Sequence, residues 1–310
     1  YLPPFLRLLK APSRAKCWPN LKALEVNPFS PMFPPWQNID QSLEKLLEFF
    51  RNFKACEILF HCFSYQIRLP DGDSERAQAI LQNICELRPS MTYIGTHHSK
   101  FLPKQAKSLK SICFHYTESD QEELDLRTIN DLSNFEEIDL AICTYEEEEE
   151  VAAVDLSFYE KILSQIQLMT NLKSLSLEFV GDAGITSELQ PAALSLLEHL
   201  KQLVYLRLRF NDPLSNAKGK VLPFYRPWLG GVFRRIGSKK NLKTLCLEFP
   251  HFDYEDEDLF KTLCKSIRKL TQLSALELEI EGERTIEDKD VVMLADSLSQ
   301  LTNLEFLSIV

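Results

Sequence analysis

The sequence predicts an α/β solenoid with a curved parallel sheet inside and helices outside. Three observations carry the prediction. A short leucine-rich strand pattern recurs at near-constant spacing, helix-period stretches fill the intervals, and neither element could bury its apolar face alone.

The strand pattern is clearest in the C-terminal half. Asn171–Phe179 (NLKSLSLEF), Gln202–Phe210 (QLVYLRLRF), Asn241–Phe249 (NLKTLCLEF) and Gln272–Ile280 (QLSALELEI) align, and Asn303–Ile309 (NLEFLSI) begins a fifth. Their first leucines, Leu172, Leu203, Leu242, Leu273 and Leu304, are separated by 31, 39, 31 and 31 residues. In L-x-x-L-x-L-x-F the last three apolar positions alternate, so they share one face of a strand. Leu175, Leu177 and Phe179 point inward, and Ser176 and Glu178 outward.

Helical periodicity follows. In 255–270, Leu259, Leu263, Ile267 and Leu270 form an apolar stripe, with acids opening the segment and bases closing it as the helix dipole favours. Stretch 286–301 repeats the plan with Val291, Leu294, Leu298 and Leu301. Stretch 187–203 does so with Leu194, Leu197 and Leu200. Fainter strands are expected at Leu21–Val26, Phe53–Ile58, Leu109–Phe114 and Phe135–Leu140, with helices at 41–52, 74–87 and 156–169.

These units resemble ribonuclease-inhibitor-type leucine-rich repeats, most firmly over 172–310. The resemblance implies a non-catalytic binding surface. One departure stands out. The family usually has Asn or Cys three residues after the last strand leucine; here those positions hold Val180, Asn211, Pro250 and Glu281, and only Asn211 fits. Phe179, Phe210 and Phe249 are expected to fill that end of the core.

Net charge is −10 and the pI about 5.2, which argues against a general nucleic-acid binder. No run of roughly 18 apolar residues is present, so no membrane span is expected. The eight cysteines are scattered without a CxxC pair, and there is no Asn-x-Ser/Thr sequon. Both point to an intracellular, cytoplasmic setting. The chain starts at Tyr1 and stops within a repeat, so it reads as a piece of a longer protein.

Residues 1–40 hold eight of the 16 prolines and read as an N-terminal capping or docking segment ahead of a solenoid over 41–310. Residues 120–150 hold 13 acids against Arg127 alone; the run Glu146–Glu150 is either a solvated loop or an attractor for a basic partner. The interval 213–240, which stretches one step to 39 residues, mixes Lys218, Lys220, Arg226, Arg234, Arg235, Lys239 and Lys240 with Phe224, Tyr225, Trp228 and Phe233. It reads equally as a helix, Trp228–Ile236, packing its aromatics inward and as a partner-binding insertion.

No nucleophile elbow, zinc-protease, phosphate-loop or dinucleotide signature occurs. His61 and Cys62 are adjacent on a strand pattern and point to opposite faces, so they form no catalytic pair. His97–His98 lies in a stretch read as irregular, without further metal ligands in a defined pattern. Cys113 and Cys246 are placed on the concave face. No cofactor or metal is expected, and the protein reads as a non-enzyme.

That face is a mixed polar surface with a basic centre at Arg207 and Arg209. The candidate partner-binding residues are Tyr205, Arg207, Arg209, Phe224, Tyr225, Arg226, Trp228, Arg234, Arg235 and Phe306. The sequence therefore predicts a protein-interaction scaffold, a subunit or adaptor of a larger assembly. Two readings stay open beside it: a substrate-recognition module of a ubiquitin-ligase or immune-type receptor, and an RNA-associated protein using 218–240.

Overall fold

The computed structural model describes residues 23–26, 57–62, 93–96, 109–117, 125–144, 157–181, 189–210, 225–249, 257–280 and 287–309. It is an α/β fold in which every described strand pair is parallel. The chain divides into two compact units. The expected boundary near residue 40 and the run Glu146–Glu150 lie outside the described residues.

The first unit, residues 1–116 and 120–135, carries strands β1 (Ala23–Val26), β2 (Glu57–Cys62), β3 (Tyr93–Thr96) and most of β4 (Ser111–Thr117), each paired with the next. The faint sequence signals mark β1, β2 and β4 to within a few residues. Strand β3 carries no sequence signal: Tyr-Ile-Gly-Thr is too short and too glycine-broken to show a period, and pairing on both sides makes it a strand. Asn130 fastens the end of this unit. Its Nδ2 donates to the Leu109 carbonyl at 2.8 Å, and its Oδ1 accepts from the Asp131 N–H at 2.8 Å and Asn134 Nδ2 at 3.1 Å.

The second unit, residues 117–119 and 136–310, alternates strand and helix. Its strands are β5 (Glu137–Thr144), β6 (Ser174–Gly181), β7 (Tyr205–Phe210), β8 (Thr244–Phe249), β9 (Ala275–Ile280) and β10 (Phe306–Ile309). Between them lie α1 (Ser157–Gln167), α2 (Leu189–His199), α3 (Tyr225–Ile236), α4 (Glu257–Ile267) and α5 (Asp288–Leu298). Helices α1, α2, α4 and α5 fall within the stretches that the sequence marks, and α3 begins three residues before the Trp228 of the helical alternative. The ends are shorter than the apolar stripes because the last apolar residue of each stripe lies in the turn that follows.

Pairing is in constant register. Ile138, Leu175, Leu206, Leu245, Leu276 and Leu307 form one row across the strands. A second row runs from Leu140 through Leu177, Leu208, Leu247 and Leu278 to Ile309. Except at β10 these residues are buried. Each such side chain contributes roughly 1.5–3 kcal/mol when removed from water, and only the neighbouring unit supplies the cover.

The backbone repeats just as closely. The N–H groups of Lys173, Val204, Lys243, Ser274 and Glu305 each donate to the preceding unit, to Glu136, Lys173, Val204, Lys243 and Ser274 carbonyls, at 2.7–2.8 Å. A step of 39 residues and steps of 31 thus arrive at one geometry.

Aromatic stacking closes the far end of the strands. Phe210 lies between Phe179 and Phe249, with centroids at 5.4 and 5.2 Å and nearly parallel rings. From α3, Trp228 meets Phe210 edge-on at 5.4 Å and Phe233 meets Phe249 edge-on at 5.7 Å. These are favoured offset and T-shaped geometries. The expectation that phenylalanines fill this end of the core matches the arrangement.

Helix spacing depends on glycine at two points. A Cβ on Gly237 would lie 2.9 Å from the Ser266 Cα, against backbone that cannot yield. At Gly231 it would meet the Leu194 methyls at 3.2 and 3.3 Å, which a rotamer change relieves. Gly237→Ala is therefore expected to lower stability by about 1–3 kcal/mol and Gly231→Ala by distinctly less. Urea unfolding of both variants checks this, and equal effects would refute the distinction.

Candidate partner-binding face

Period-two alternation sends every second residue of β5–β10 away from the helices. Register then sets those residues side by side. Ser174, Tyr205, Thr244, Ala275 and Phe306 make one row; Ser176, Arg207, Cys246 and Glu277 make a second; Glu178, Arg209, Glu248 and Glu279 make a third.

Glu248 is the centre of this face. Its Oε1 accepts from Arg207 Nη2 at 2.5 Å and from Nε at 3.0 Å, while its Oε2 lies 2.6 Å from Arg209 Nε. Arg209 reaches back to Glu178, Nη1 to Oε1 at 3.3 Å. One carboxylate thus engages two guanidinium groups, Arg207 through charge-assisted hydrogen bonds and Arg209 as an ion pair, and Arg209 also pairs with the Glu178 carboxylate on β6. The anticipated basic centre needs correction: Arg207 and Arg209 are neutralised by Glu178 and Glu248. Outside the network, Glu137, Glu277 and Glu279 are exposed, so the face is net acidic.

Burial tunes the groups around the network. The Glu178 carboxyl is pushed above its ordinary value by desolvation, which the two arginines only partly offset. Burial, and then the Cys246 thiol beside it, raises the Tyr205 phenol to about 12. Burial and the adjacent Glu277 carboxylate raise the Cys246 thiol to about 11. Cys264, inside α4, is raised to about 11 by burial. Cys246 does belong to the outward row, as its position in the strand requires, but it is 4% exposed and its thiolate is disfavoured.

The other candidates do not join this face. Trp228 is 3% exposed and packs on Phe210, so its reading as a partner anchor is corrected to core. The aromatic faces α3's buried side together with Phe233, and Pro227 and Arg234 take the exposed positions. Arg235 is half-buried on the helix layer, with Nη2 at 3.4 Å from Glu198 Oε2 and Nη1 at 3.4 Å from the Gly231 carbonyl. Phe224 lies outside the described residues, as do the side chains of Tyr225 and Arg226, which open α3. Phe306 is exposed at the end of the first outward row. Of the candidates with described side chains, Tyr205, Arg207, Arg209 and Phe306 therefore lie on the sheet face and Trp228, Arg234 and Arg235 on α3.

Lys239, grouped in sequence with the surface bases, is 2% exposed. It stands three residues before Leu242, where the other units have Met169, Leu200, Leu270 and Leu301. Its Nζ donates to the Leu200 carbonyl at 2.7 Å, just past the end of α2, where a cation complements the helix dipole. Burial, with Lys201 nearby, lowers its pKa to about 8.

Among the described residues, no group of three or more His, Cys, Asp or Glu is arranged to hold a metal ion. The ring of His199, on α2, donates from Nδ1 to the Ser195 carbonyl one turn back at 2.8 Å. The side chains of His61, His97, His98, His115 and His251 lie outside the described residues. No helix among the described residues is long and apolar enough to cross a membrane. No protein-family model matches the sequence, and neither does any curated protein.

Two outcomes are expected. Between pH 8 and about 10.5 the unfolded chain holds one proton more at Lys239 than the folded chain, so this group makes stability rise with pH in that window. Urea midpoints at pH 7.5 and 9.5 should show the rise, and Lys239→Leu should remove this part of it; an unchanged pH difference in the variant would argue against a buried ammonium. Separately, Cys246 and Cys264 should resist iodoacetamide at pH 7.5 in the native protein and react once it is unfolded. Peptide mass spectrometry reads the result, and rapid native labelling would contradict it.

Proposed function

We propose that this chain is a leucine-rich-repeat solenoid and a non-catalytic protein-interaction scaffold, a subunit or adaptor of a larger assembly. The observation that carries the reading is the outward face of β5–β10. It is wide, polar and built on a rigid sheet, with Arg207, Glu248, Arg209 and Glu178 fixed in one ion-pair network and the helices all on the opposite side. Rigid presentation lowers the ordering cost of association, and charge patterning selects the partner. The chemistry of the face also fits binding better than catalysis: its one thiol is held protonated, and its central carboxylate is engaged by two arginines.

The partner that suits this face is a protein segment bearing Lys or Arg for Glu277 and Glu279, with an apolar contact for Phe306. The RNA reading is weaker. Of the seven bases in 218–240, Lys239 is buried inside the fold, Arg235 is engaged with Glu198 and Arg234 and Lys240 are exposed, while Lys218, Lys220 and the Arg226 side chain lie outside the described residues. The ubiquitin-ligase and immune-receptor readings gain no residue-level support.

The test is quantitative affinity purification of the full chain from its native cells, compared with a Glu277→Lys/Glu279→Lys variant. Both side chains are exposed, so folding should be preserved. The expected result is loss of the principal bound protein by about tenfold or more. A partner set indifferent to these charges, but lost on Arg234→Glu, would move the interface to the helix layer. Recovery of RNA, released by salt, in place of protein would overturn the scaffold reading.

A further inference from the structure

Helices α2 and α3 lie side by side and leave a cleft of about 480 Å³ between them. Pro191 and Leu194 on α2, with Pro227 and Trp228 on α3, supply its apolar lining. Gln190, Glu198 and Arg235 supply polar groups. Gln190 is 9% exposed, and its Nε2 finds no acceptor among the described residues; nor does the buried Nε of Arg235. Both groups are donors, and a donor buried without an acceptor is costly. Glu198 is the single acid on α2 and α3. It meets Arg235 only at 3.4 Å and its side chain is 66% exposed, so that pair holds weakly and opens readily.

Beside the cleft the surface is basic, against a net charge of −10 for the whole chain. The three turns that follow α2, α3 and α4, residues 200–204, 237–243 and 268–274, contain no Asp or Glu. Lys201, Lys240, Lys243, Arg268 and Lys269 are exposed there. The turns adjoin along one edge. The Lys243 N–H donates to the Val204 carbonyl, the Ser274 N–H to the Lys243 carbonyl, and Lys240 Nζ to the Lys269 carbonyl at 3.4 Å. Glu198 and Lys201 both stand close enough to Lys239 to act on its charge, which joins the Arg235 end of the cleft to this edge. We infer that cleft and edge form a second docking site, which takes an acidic peptide segment of a partner protein. Its carboxylates pair with the exposed cations, and one displaces Glu198 from Arg235. A main-chain carbonyl accepts from Gln190, and an adjoining apolar or proline side chain rests on Pro191, Leu194 and Pro227. Nucleic acid fits less well, because the three turns offer no aromatic ring for a base to stack on. The site is separate from the sheet face and does not depend on it.

A phage-displayed random peptide library, panned on the full chain at low salt, tests the inference, with the enriched peptides remeasured by fluorescence anisotropy. Acidic peptides with an adjoining apolar or proline residue are expected, bound more weakly as salt rises. Lys240→Glu/Lys269→Glu should weaken them by about tenfold or more. Glu198→Gln should tighten them several-fold by releasing Arg235, a gain that a merely structural ion pair would not give. All three side chains are exposed, and thermal unfolding of each variant confirms that the fold is kept. Enrichment of no acidic peptide, or acidic peptides indifferent to the edge reversals or to Glu198→Gln, would overturn the proposal. So would an oligouridine that binds more tightly than any selected peptide.

Discussion

Constant-register stacking of the strand leucines is the constraint on which the second unit depends. Leu175 is buried because Leu206 and Ile138 stand beside it in the same row, and the same holds at each step to Leu276. A slip of one residue in any pair would turn the leucines outward and put Arg207 or Glu248 in the core. The fixed N–H···O contact that precedes each strand pins the register before the side chains meet. The helices then have one available role, which is to close the leucine side, and the opposite side is left for polar chemistry.

That division explains how ion pairs and core coexist on single strands. On β8, Leu245 and Leu247 are fully buried toward the helices, while Cys246 and Glu248 are buried on the other side by neighbouring outward side chains. Glu248 tolerates its low exposure because two guanidinium groups meet it at bonding distance. A buried carboxylate with neither partner would be strongly disfavoured. The face is consequently stiff: moving Arg209 disturbs both Glu178 and Glu248.

The strands and helices of 157–309 were legible in the sequence, because periods of two and of about 3.6 residues are local and the leucines at 172, 203, 242 and 273 repeat them cleanly. Tyr93–Thr96 was not, since four residues with a glycine show no period. The site was half legible. Alternation gave Tyr205, Arg207 and Arg209 their outward direction. Nothing within ten residues of Arg207, however, reveals that Glu248, 41 positions on, neutralises it; strand register alone brings them together. Sequence alone does not decide Trp228 or Lys239 for a similar reason. A tryptophan in a basic segment suits an exposed anchor and a core aromatic equally, and the contacts that decide, with Phe210 and the Leu200 carbonyl, are remote in sequence.

The interval between Phe210 and α3 has a different implication. The step that includes residues 211–224 is eight residues longer than its neighbours, yet Leu206 pairs with Leu245 in the register that every other strand keeps. Against the two following steps, seven of the eight added residues fall between strand end and helix start, and α3 is itself one residue longer. Loop-closure entropy grows only logarithmically, by about 0.6 kcal/mol per doubling, so length there is nearly neutral for folding. Length in that interval can therefore change at little cost to the strand register on either side of it.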